Sequence, residues 1–465
     1  MYKLRPYQKK ALDDINDFIE NSTAKNGVAV LPCAAGKSLI VSELAKKYDR
    51  ILCLQPSKEL LKQNYAKYAA YPDLEPAKIF SASLKTKEIG KVTFATPQSV
   101  ANSLYLFEKF GFDYIIIDEC HLGTKTSSSI HRTVKALNPK KVIGLTATPI
   151  YMGSMEGLAV IKMMNRVYNS FFKKIIHVTQ IQEMVDNDYW SPLVYDNRHV
   201  DVSDLELNTT GSDYTMQSMI AMYERNNTHQ NVLDEVSFLQ KEGRKSILVF
   251  VPSINEAEIL ASKVKGAVAI SSQTKTKERD AYVEGFMNGS IPVVFNVLVL
   301  GTGFDHPQLD AIIHARPTNS MAIWYQTIGR GVRIHPDKKD CKIVDMAGNA
   351  VKLGRLEHLT FEDFPNCGWA MFAGDRLISG VPLMSELTTT KQELLNPPPP
   401  EERGVFDDTS FWFGKNSGRT LEQVYLKDRQ YLMWFISDKF NPSTPRVANF
   451  RRKAASFVKA KLVTL

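Results

Sequence analysis

Two short segments of this 465-residue chain carry residue types suited to phosphate chemistry, and both sit at the exits of aliphatic runs. Leu31-Pro32-Cys33-Ala34-Ala35-Gly36-Lys37-Ser38-Leu39 follows one such run and opens a helix-like stretch. In that setting backbone N–H groups and a helix N-terminus face an anion, Lys37 reaches the terminal phosphates of a nucleotide, and Ser38 ligates magnesium. Ala34, Ala35 and Gly36 are small enough for the backbone to approach the phosphates. The generic loop has a glycine where this chain has Leu31, so an ordinary strand–turn–helix with a surface lysine is the competing reading. Further on, Ile115-Ile116-Ile117-Asp118-Glu119-Cys120-His121 delivers two carboxylates at a strand end. Asp118 is placed to hold the magnesium shell and Glu119 to polarise an attacking water. Two acids capping the next helix would look the same in isolation, and the upstream Gly-Lys-Ser favours the chemical reading. His121 divides evenly between a coupling role and plain packing. Near the start, Leu4-Arg5-Pro6-Tyr7-Gln8 offers Arg5 and Gln8 to the nucleotide, since a glutamine amide suits an adenine edge.

Such side chains need a frame, and the rhythm of the chain supplies one. Val28–Leu31, Ile51–Leu54, Val92–Ala95, Tyr114–Ile117 and Val142–Leu145 are short aliphatic runs, each followed by small or polar residues and a longer amphipathic stretch. That pattern is expected of buried parallel strands with crossover helices. A second series comprises Ser246–Val251, Ala267–Ile270, Val293–Val297, Ala311–His314 and Lys342–Val344. The expected class is α/β, with two tandem parallel-sheet domains at 1–152 and 191–355. Between them, 153–190 is rich in Met, Lys and Asn and reads as a helical connector. Residues 356–403 read as a linker with the run Pro397 to Pro400, and 404–465 as a small, α-rich, basic C-terminal domain.

Composition narrows the classes. A hydrophobic fraction of 44% with 23% charged residues is that of a soluble globular chain. No run of about 18 apolar residues suggests a membrane span, and the N-terminus lacks a secretory apolar region, so a cytoplasmic protein is expected. Five scattered cysteines without a C-x-x-C pair support neither a disulfide framework nor zinc. The net charge of +8 hints at a polyanionic partner.

Taken in order, the motifs resemble those of helicase superfamily 2 of the DExH type. Gln8, Gly36-Lys37-Ser38, Asp118-Glu119-Cys120-His121 and Thr146-Ala147-Thr148-Pro149 follow that family's sequence of motifs. Leu300-Gly301-Thr302-Gly303-Phe304-Asp305 resembles its fifth, and Gln326-Thr327-Ile328-Gly329-Arg330-Gly331-Val332-Arg333 its sixth, Q-x-x-G-R-x-x-R. The resemblance spans residues 1 to 355. Its details look like the DNA-directed branch, which includes XPB-like repair helicases, type I restriction motor subunits and phage branch-migration helicases such as UvsW; the compact size suits the phage proteins best.

The resemblance implies two RecA-like lobes closing on ATP and Mg2+. Arg330 and Arg333 would reach across to the γ-phosphate, where a guanidinium fork does what a lysine point charge does not. Gln326 would position nucleotide and water. Gly303 and Asp305 would link the nucleotide to the bound strand, and His121, Thr146 and Thr148 would couple hydrolysis to grip. Candidate strand contacts are Pro56, Ser57 and Lys58, Thr96 and Gln98, Ser253, and Thr302, each equally readable as a turn or cap. In the tail, Arg446, Arg451, Arg452, Lys453, Lys459 and Lys461 form a basic segment without Asp or Glu. It is either a phosphate footprint or a solvated helix face. Phe411-Trp412-Phe413 and Tyr431-Leu432-Met433-Trp434-Phe435 look like a small domain appended to some nucleases and helicases, its aromatics serving mainly as core. Tyr189 and Trp190 read as packing for the connector.

The leading expectation is an ATP-dependent DNA helicase or translocase that unwinds or branch-migrates forked and branched DNA, in a bacterial or phage-infected cytoplasm. An RNA helicase, a restriction-complex motor subunit and a passive nucleic-acid-binding scaffold are the alternatives. Retention of Lys37, Asp118, Glu119, Arg330 and Arg333 together argues against the scaffold.

Overall fold

Aliphatic runs that are buried on both faces become central strands, and the chain builds two sheets from them. The computed structural model describes residues 2–463, apart from 124–127, 156–157, 168–169, 199–200, 210, 302–303, 365–367, 382, 384–390, 392–409, 412–414 and 438–444. It divides into units 1–388 and 389–465. In the first unit, β1 (Asn26–Val30), β2 (Ile51–Leu54), β3 (Lys78–Ser81), β4 (Thr86–Lys87), β5 (Val92–Ala95), β6 (Tyr114–Asp118) and β7 (Lys141–Thr146) precede a hairpin of β8 (Ile150–Met155) and β9 (Leu158–Met163). After β10 (Lys174–Val178) come β11 (Leu193–Asn197), β12 (Ile247–Phe250), β13 (Val268–Ile270), β14 (Val293–Asn296), β15 (Ala311–His314) and β16 (Cys341–Asp345). The first sheet has the order β10-β1-β7-β6-β2-β5-β3-β4 and the second β11-β16-β15-β12-β14-β13. All pairs are parallel except β3 with β4, as expected where helices cover both faces. The fold is therefore the expected tandem of RecA-like α/β domains.

Parallel pairing brings the strand ends to one edge. Val30 lies opposite Thr146 and Asp118 opposite Leu145, so the turns after β1, β6 and β7 open side by side. This carboxyl edge is where open α/β sheets bind ligands. One apolar cluster packs the first sheet and continues through Leu248, Ile312 and Ile343 of the second and Trp324 of a helix on it. Val236, Leu239, Val249 and Ile313 pack the other face of the second sheet.

Two expectations fail. Residues 153–190 are not a helical connector: among the described residues they carry half of β8, all of β9 and β10, a 3-10 turn at Met164–Arg166 and one short α-helix, Ile181–Asp186. Met and Lys favour helix intrinsically, but Lys174–Val178 gains a parallel partner in β1, and tertiary pairing wins. Residues 356–403 are not all linker either. β17 (Leu359–Phe364), β18 (Gly368–Ala373) and β19 (Arg376–Leu377) form an antiparallel sheet, with Leu359, Phe361 and Phe364 buried. Gln180 ties the β10 side to it, donating to Phe361 O at 2.5 Å and accepting from Phe361 N at 3.2 Å. The four-proline run lies outside the described residues.

The second unit has its own core of Phe411, Leu421, Val424, Leu432, Phe435, Phe450 and Val458, on helices Leu421–Lys427, Arg429–Ile436 and Pro445–Val463. Trp434 is 44% exposed, so it departs from the expected core role; Trp412 and Phe413 lie outside the described residues. No helix among the described residues is long and apolar enough to cross a membrane.

Candidate nucleotide site

The loop after β1 is held from behind. Ala34 and Gly36 take positive φ of 58° and 78°, and Gly36 begins the helix α2 (Lys37–Lys47) without a side-chain cap. The first N–H groups of α2 therefore have no intrahelical partner, which suits an anion. Tyr7 Oη and Gln8 Nε2 donate to Ala35 O at 2.9 and 2.8 Å, and Trp190 Nε1 donates to Cys33 O at 2.9 Å. These carbonyls are engaged by the protein, and Ala35 N closes the turn onto Pro32 O at 3.2 Å. Gln8 is held at both ends: Oε1 accepts from Arg5 N at 2.9 Å while Nε2 donates to Ala35 O at 2.8 Å. One end of the amide caps the first helix and the other steadies the loop. At the rim, the Arg5 guanidinium lies 4.0 Å from the Tyr189 ring centre.

Behind the loop stand the carboxylates. Asn64, buried in the helix α3 (Lys58–Ala69), donates to Asp118 Oδ2 at 2.9 Å, and Glu119 N donates to Asp118 Oδ1 at 3.0 Å. Burial, with the Glu119 charge beside it, pushes Asp118 up to about 6. Burial would raise Glu119 too, but the Lys37 ammonium outweighs it and holds it below its ordinary value. Lys37 Nζ sits 3.3 Å from Glu119 Oε1. Burial works against the Lys37 charge, and Glu119 and Asp118 more than compensate. Glu119 Oε2 is buried without a hydrogen-bond partner among the described residues, 3.4 Å from His121 Nδ1.

The second lobe closes the site. Helix Met321–Ile328 ends at Gly329, where an added Cβ would come within 2.6 Å of Cys33 Sγ, so this turn packs directly on the loop. Gln326 Nε2 donates to His121 Nε2 at 3.0 Å, and His121 Nδ1 bonds Thr146 Oγ1 at 2.8 Å. Burial lowers the His121 pKa, so the neutral ring accepts at Nε2 and donates at Nδ1. Thr146 Oγ1 also accepts from Thr148 N at 3.0 Å. A continuous chain of hydrogen bonds therefore runs from Gln326 in one lobe to Thr148 in the other. Arg330 Nη1 donates to Phe304 O at 2.5 Å. Burial and the nearby Arg333 bring Arg330 down to about 10, still a cation. Arg333 pairs with Asp305. Lys37, Ser38, Asp118, Glu119, Gln326, Arg330 and Arg333 all line one cleft of about 590 Å³, within the range of small-ligand sites.

Other expected residues lie away from it. Ser57, following Pro56 at the carboxyl end of β2, caps α3 through Leu60 N at 3.2 Å, and Lys58 lies 3.7 Å from Glu59. Thr96 bonds Ser99 at 2.8 Å and Gln98 bonds Asn102 at 2.9 Å. Ser253 caps the helix Ile254–Lys263. Ser57 and Ser253 are helix caps after β2 and β12, whereas Thr96 and Gln98 bond neighbouring side chains in the turn and helix after β5. Thr302 and Gly303 lie outside the described residues. Tyr7, Asn64 and the Trp190 indole escaped the sequence reading as site residues: each acts through one long-range hydrogen bond, and local spacing carries no sign of it. Among the described residues no cluster of three or more His, Cys, Asp or Glu could hold a metal.

Residues 1–151 match the family described as type III restriction enzyme, res subunit, and residues 228–335 match the helicase conserved C-terminal domain. The Saccharomyces cerevisiae protein IRC3, assigned by name to the ATP-dependent helicases, is 26% identical over 368 residues, covering 74% of this chain and 51% of that protein. The DNA 3'-5' helicase XPB of Mycobacterium tuberculosis is 26% identical over 349 residues, covering 72% of this chain and 59% of the other. The chain thus spans about half the length of the first of these relatives. The type ISP restriction-modification enzyme LlaBIII, solved bound to DNA, superposes with a TM-score of 0.56 at 17% identity, over 74% of this chain and 28% of that one.

Proposed function

The chain belongs to helicase superfamily 2, and on that premise we propose that ATP hydrolysis in the cleft drives it along DNA, unwinding or branch-migrating forked and branched substrates. The observation that carries this reading is the closed cleft, in which Lys37 and Glu119 of one lobe face Arg330 and Arg333 of the other.

The chemistry follows from these groups. Lys37 leaves its ion pair with Glu119 to meet the terminal phosphates, and the N-terminus of α2 takes the inner ones. A magnesium ion suits this site, because Asp118 is a buried carboxylate beside a second one with a single lysine to balance both. Ser38 and Asp118 would hold it, and it would neutralise phosphate charge. Glu119 Oε2, buried and unpaired, accepts a proton from the attacking water. Arg330 and Arg333 stabilise negative charge as it develops on the transferred group. Once the γ-phosphate is gone the two lobes share one less ligand, and Gln326 parts from His121 as they separate.

Strand contacts are assigned to the carboxyl edge, at Pro56, Ser57, Lys58, Thr96, Gln98 and Ser253, and to Thr302, which lies outside the described residues. They meet sugar and phosphate and read no sequence. The Mycobacterium tuberculosis relative carries the name of a DNA 3'-5' helicase, which favours DNA over RNA. The deciding experiment is ATP-driven processing of a fork, a Holliday junction, duplexes with either overhang and an RNA–DNA hybrid. Displacement of forked or branched DNA, lost in Lys37→Ala, is the expected result. Hydrolysis stimulated by RNA alone would overturn the substrate, and displacement surviving Lys37→Ala would overturn the motor.

Two further outcomes test the parts. Gly36→Ala puts a side chain at φ 78°, 2.5 Å from Gln8 Nε2, adding left-handed strain of about 1–2 kcal/mol. Titration with a fluorescent ATP analogue should show affinity at least about tenfold weaker; unchanged affinity would remove the loop as phosphate seat. His121→Ala breaks the Gln326–His121–Thr146 chain, at a cost of about 1–3 kcal/mol. Strand displacement per ATP consumed should fall while DNA binding persists. Equal losses in hydrolysis and displacement would make His121 a packing residue.

A further inference from the structure

A nucleotide brings a base as well as phosphates. Beside Lys37 and the carboxylates, the same cleft is lined by Arg5, Leu60, Gln63 and Tyr189. Leu60 and Gln63 stand three residues apart on α3 and so share a face. The Arg5 guanidinium lies over the Tyr189 ring, 4.0 Å from its centre, and among the described residues no carboxylate pairs with it. We infer that Tyr189 is a positioning residue for the nucleobase: its ring holds the Arg5 guanidinium at the cleft wall, and the base stacks on the other face of that guanidinium. The inference deepens the reading of the cleft as an ATP site and rests on it.

Tyr189 suits that role because the chain around it is tied on three sides. Tyr189 N donates to Met184 O at 2.8 Å. The indole of Trp190 donates to Cys33 O of the phosphate loop at 2.9 Å, and Ser191 N donates at 2.7 Å to Val332 O, in the segment between Arg330 and Arg333. The ring therefore has a fixed place relative to the loop and to the second lobe, and a seat ordered in advance lowers what a ligand has to order on binding. A planar guanidinium can lie on an aromatic face with one side and take a second π-surface on the other, whereas a lysine offers only a point charge. Every base has such a surface, so the stack answers the base and leaves the phosphates to Lys37. A packing role leads to a different expectation. The Tyr189 ring also lies 5.5 Å from that of Tyr7, whose hydroxyl donates to Ala35 O. If support of Tyr7 were its whole task, losing the ring would loosen the phosphate loop.

The test titrates the full chain by calorimetry with ATP and with inorganic tripolyphosphate, which has the phosphates and no base. Tyr189→Ala should bind ATP about tenfold more weakly and tripolyphosphate within about twofold of wild type. Turnover at saturating ATP should stay within about twofold, because a contact to the base is the same in ground and transition states. Tyr189→Phe, which keeps the ring face, should restore ATP affinity. Arg5→Lys, which keeps the charge and loses the plane, should show the selective loss seen in Tyr189→Ala. Equal losses for ATP and tripolyphosphate would make Tyr189 a packing residue, and unchanged ATP affinity in both Tyr189→Ala and Arg5→Lys would place the base elsewhere; either result overturns the inference. A wild type that binds neither ligand would instead remove the nucleotide site itself, and the stack with it.

Discussion

Arg330→Lys should cut DNA-stimulated ATP turnover by about three orders of magnitude, the lower end of what an arginine acting on a transferring phosphoryl group contributes. Nucleotide affinity should change by less than about tenfold, because the cradle around Lys37 is untouched. The substitution keeps the charge, so the loss would isolate geometry. A guanidinium can hold Phe304 O with one nitrogen, as Arg330 does, and still present others to the cleft; an ammonium is a single point on a flexible stem. Burial sharpens the difference, since Arg330 is only 8% exposed and charge–charge contacts strengthen where water is excluded. Single-turnover hydrolysis beside equilibrium nucleotide titration separates the two effects. Turnover within about threefold of wild type would remove Arg330 from the reaction. Arg333 is already paired with Asp305 and has to exchange that partner for phosphate, so its removal should cost less.

The sequence was most readable where burial is most complete. Ile115-Ile116-Ile117 and Ile247–Phe250 are wholly buried, and a strand covered on both faces has no alternative to a continuous aliphatic run. The phosphate loop and the acid pair sit at the ends of such strands, so their chemistry and position were legible together. Edge and hairpin strands were not. Lys174–Val178 is a half-covered strand beside β1, and its mixed Lys, Ile and His content matches no single period. The third sheet was hidden for a related reason: Pro365-Asn366-Cys367-Gly368 is a turn signal, but the short flanking strands alternate only over a few residues. Asn64 illustrates the deeper limit. In its helix it is an ordinary polar residue, and only the register of α3 against β6 brings it to Asp118. Gln8 shows the same limit, since the Ala35 carbonyl that holds its amide is an acceptor the local sequence does not display.

Glu119→Gln should hydrolyse ATP about 10²- to 10⁴-fold more slowly, the range for losing a positioned general base, while binding nucleotide more tightly than wild type. The second half of that expectation comes from the ion pair. Lys37 is 3.3 Å from Glu119 Oε1, and the triphosphate has to compete with a buried carboxylate for that ammonium. The amide is nearly isosteric but uncharged, so Lys37 is left with less to give up and the phosphates gain what the carboxylate held. The repulsion between Glu119 and the incoming phosphates disappears as well. Lys37→Ala removes the other partner and should fail at binding, so the two variants move affinity in opposite directions from one pair. A slow enzyme with a saturated cleft keeps its lobes together, and Glu119→Gln should therefore stay on DNA in the presence of ATP where wild type cycles off. Nucleotide titration, quenched-flow hydrolysis and DNA retention on the same preparation test all three consequences. Weaker nucleotide binding in Glu119→Gln would mean that the Lys37–Glu119 pair organises the cradle and does not compete with the phosphates, and normal hydrolysis would place the base elsewhere.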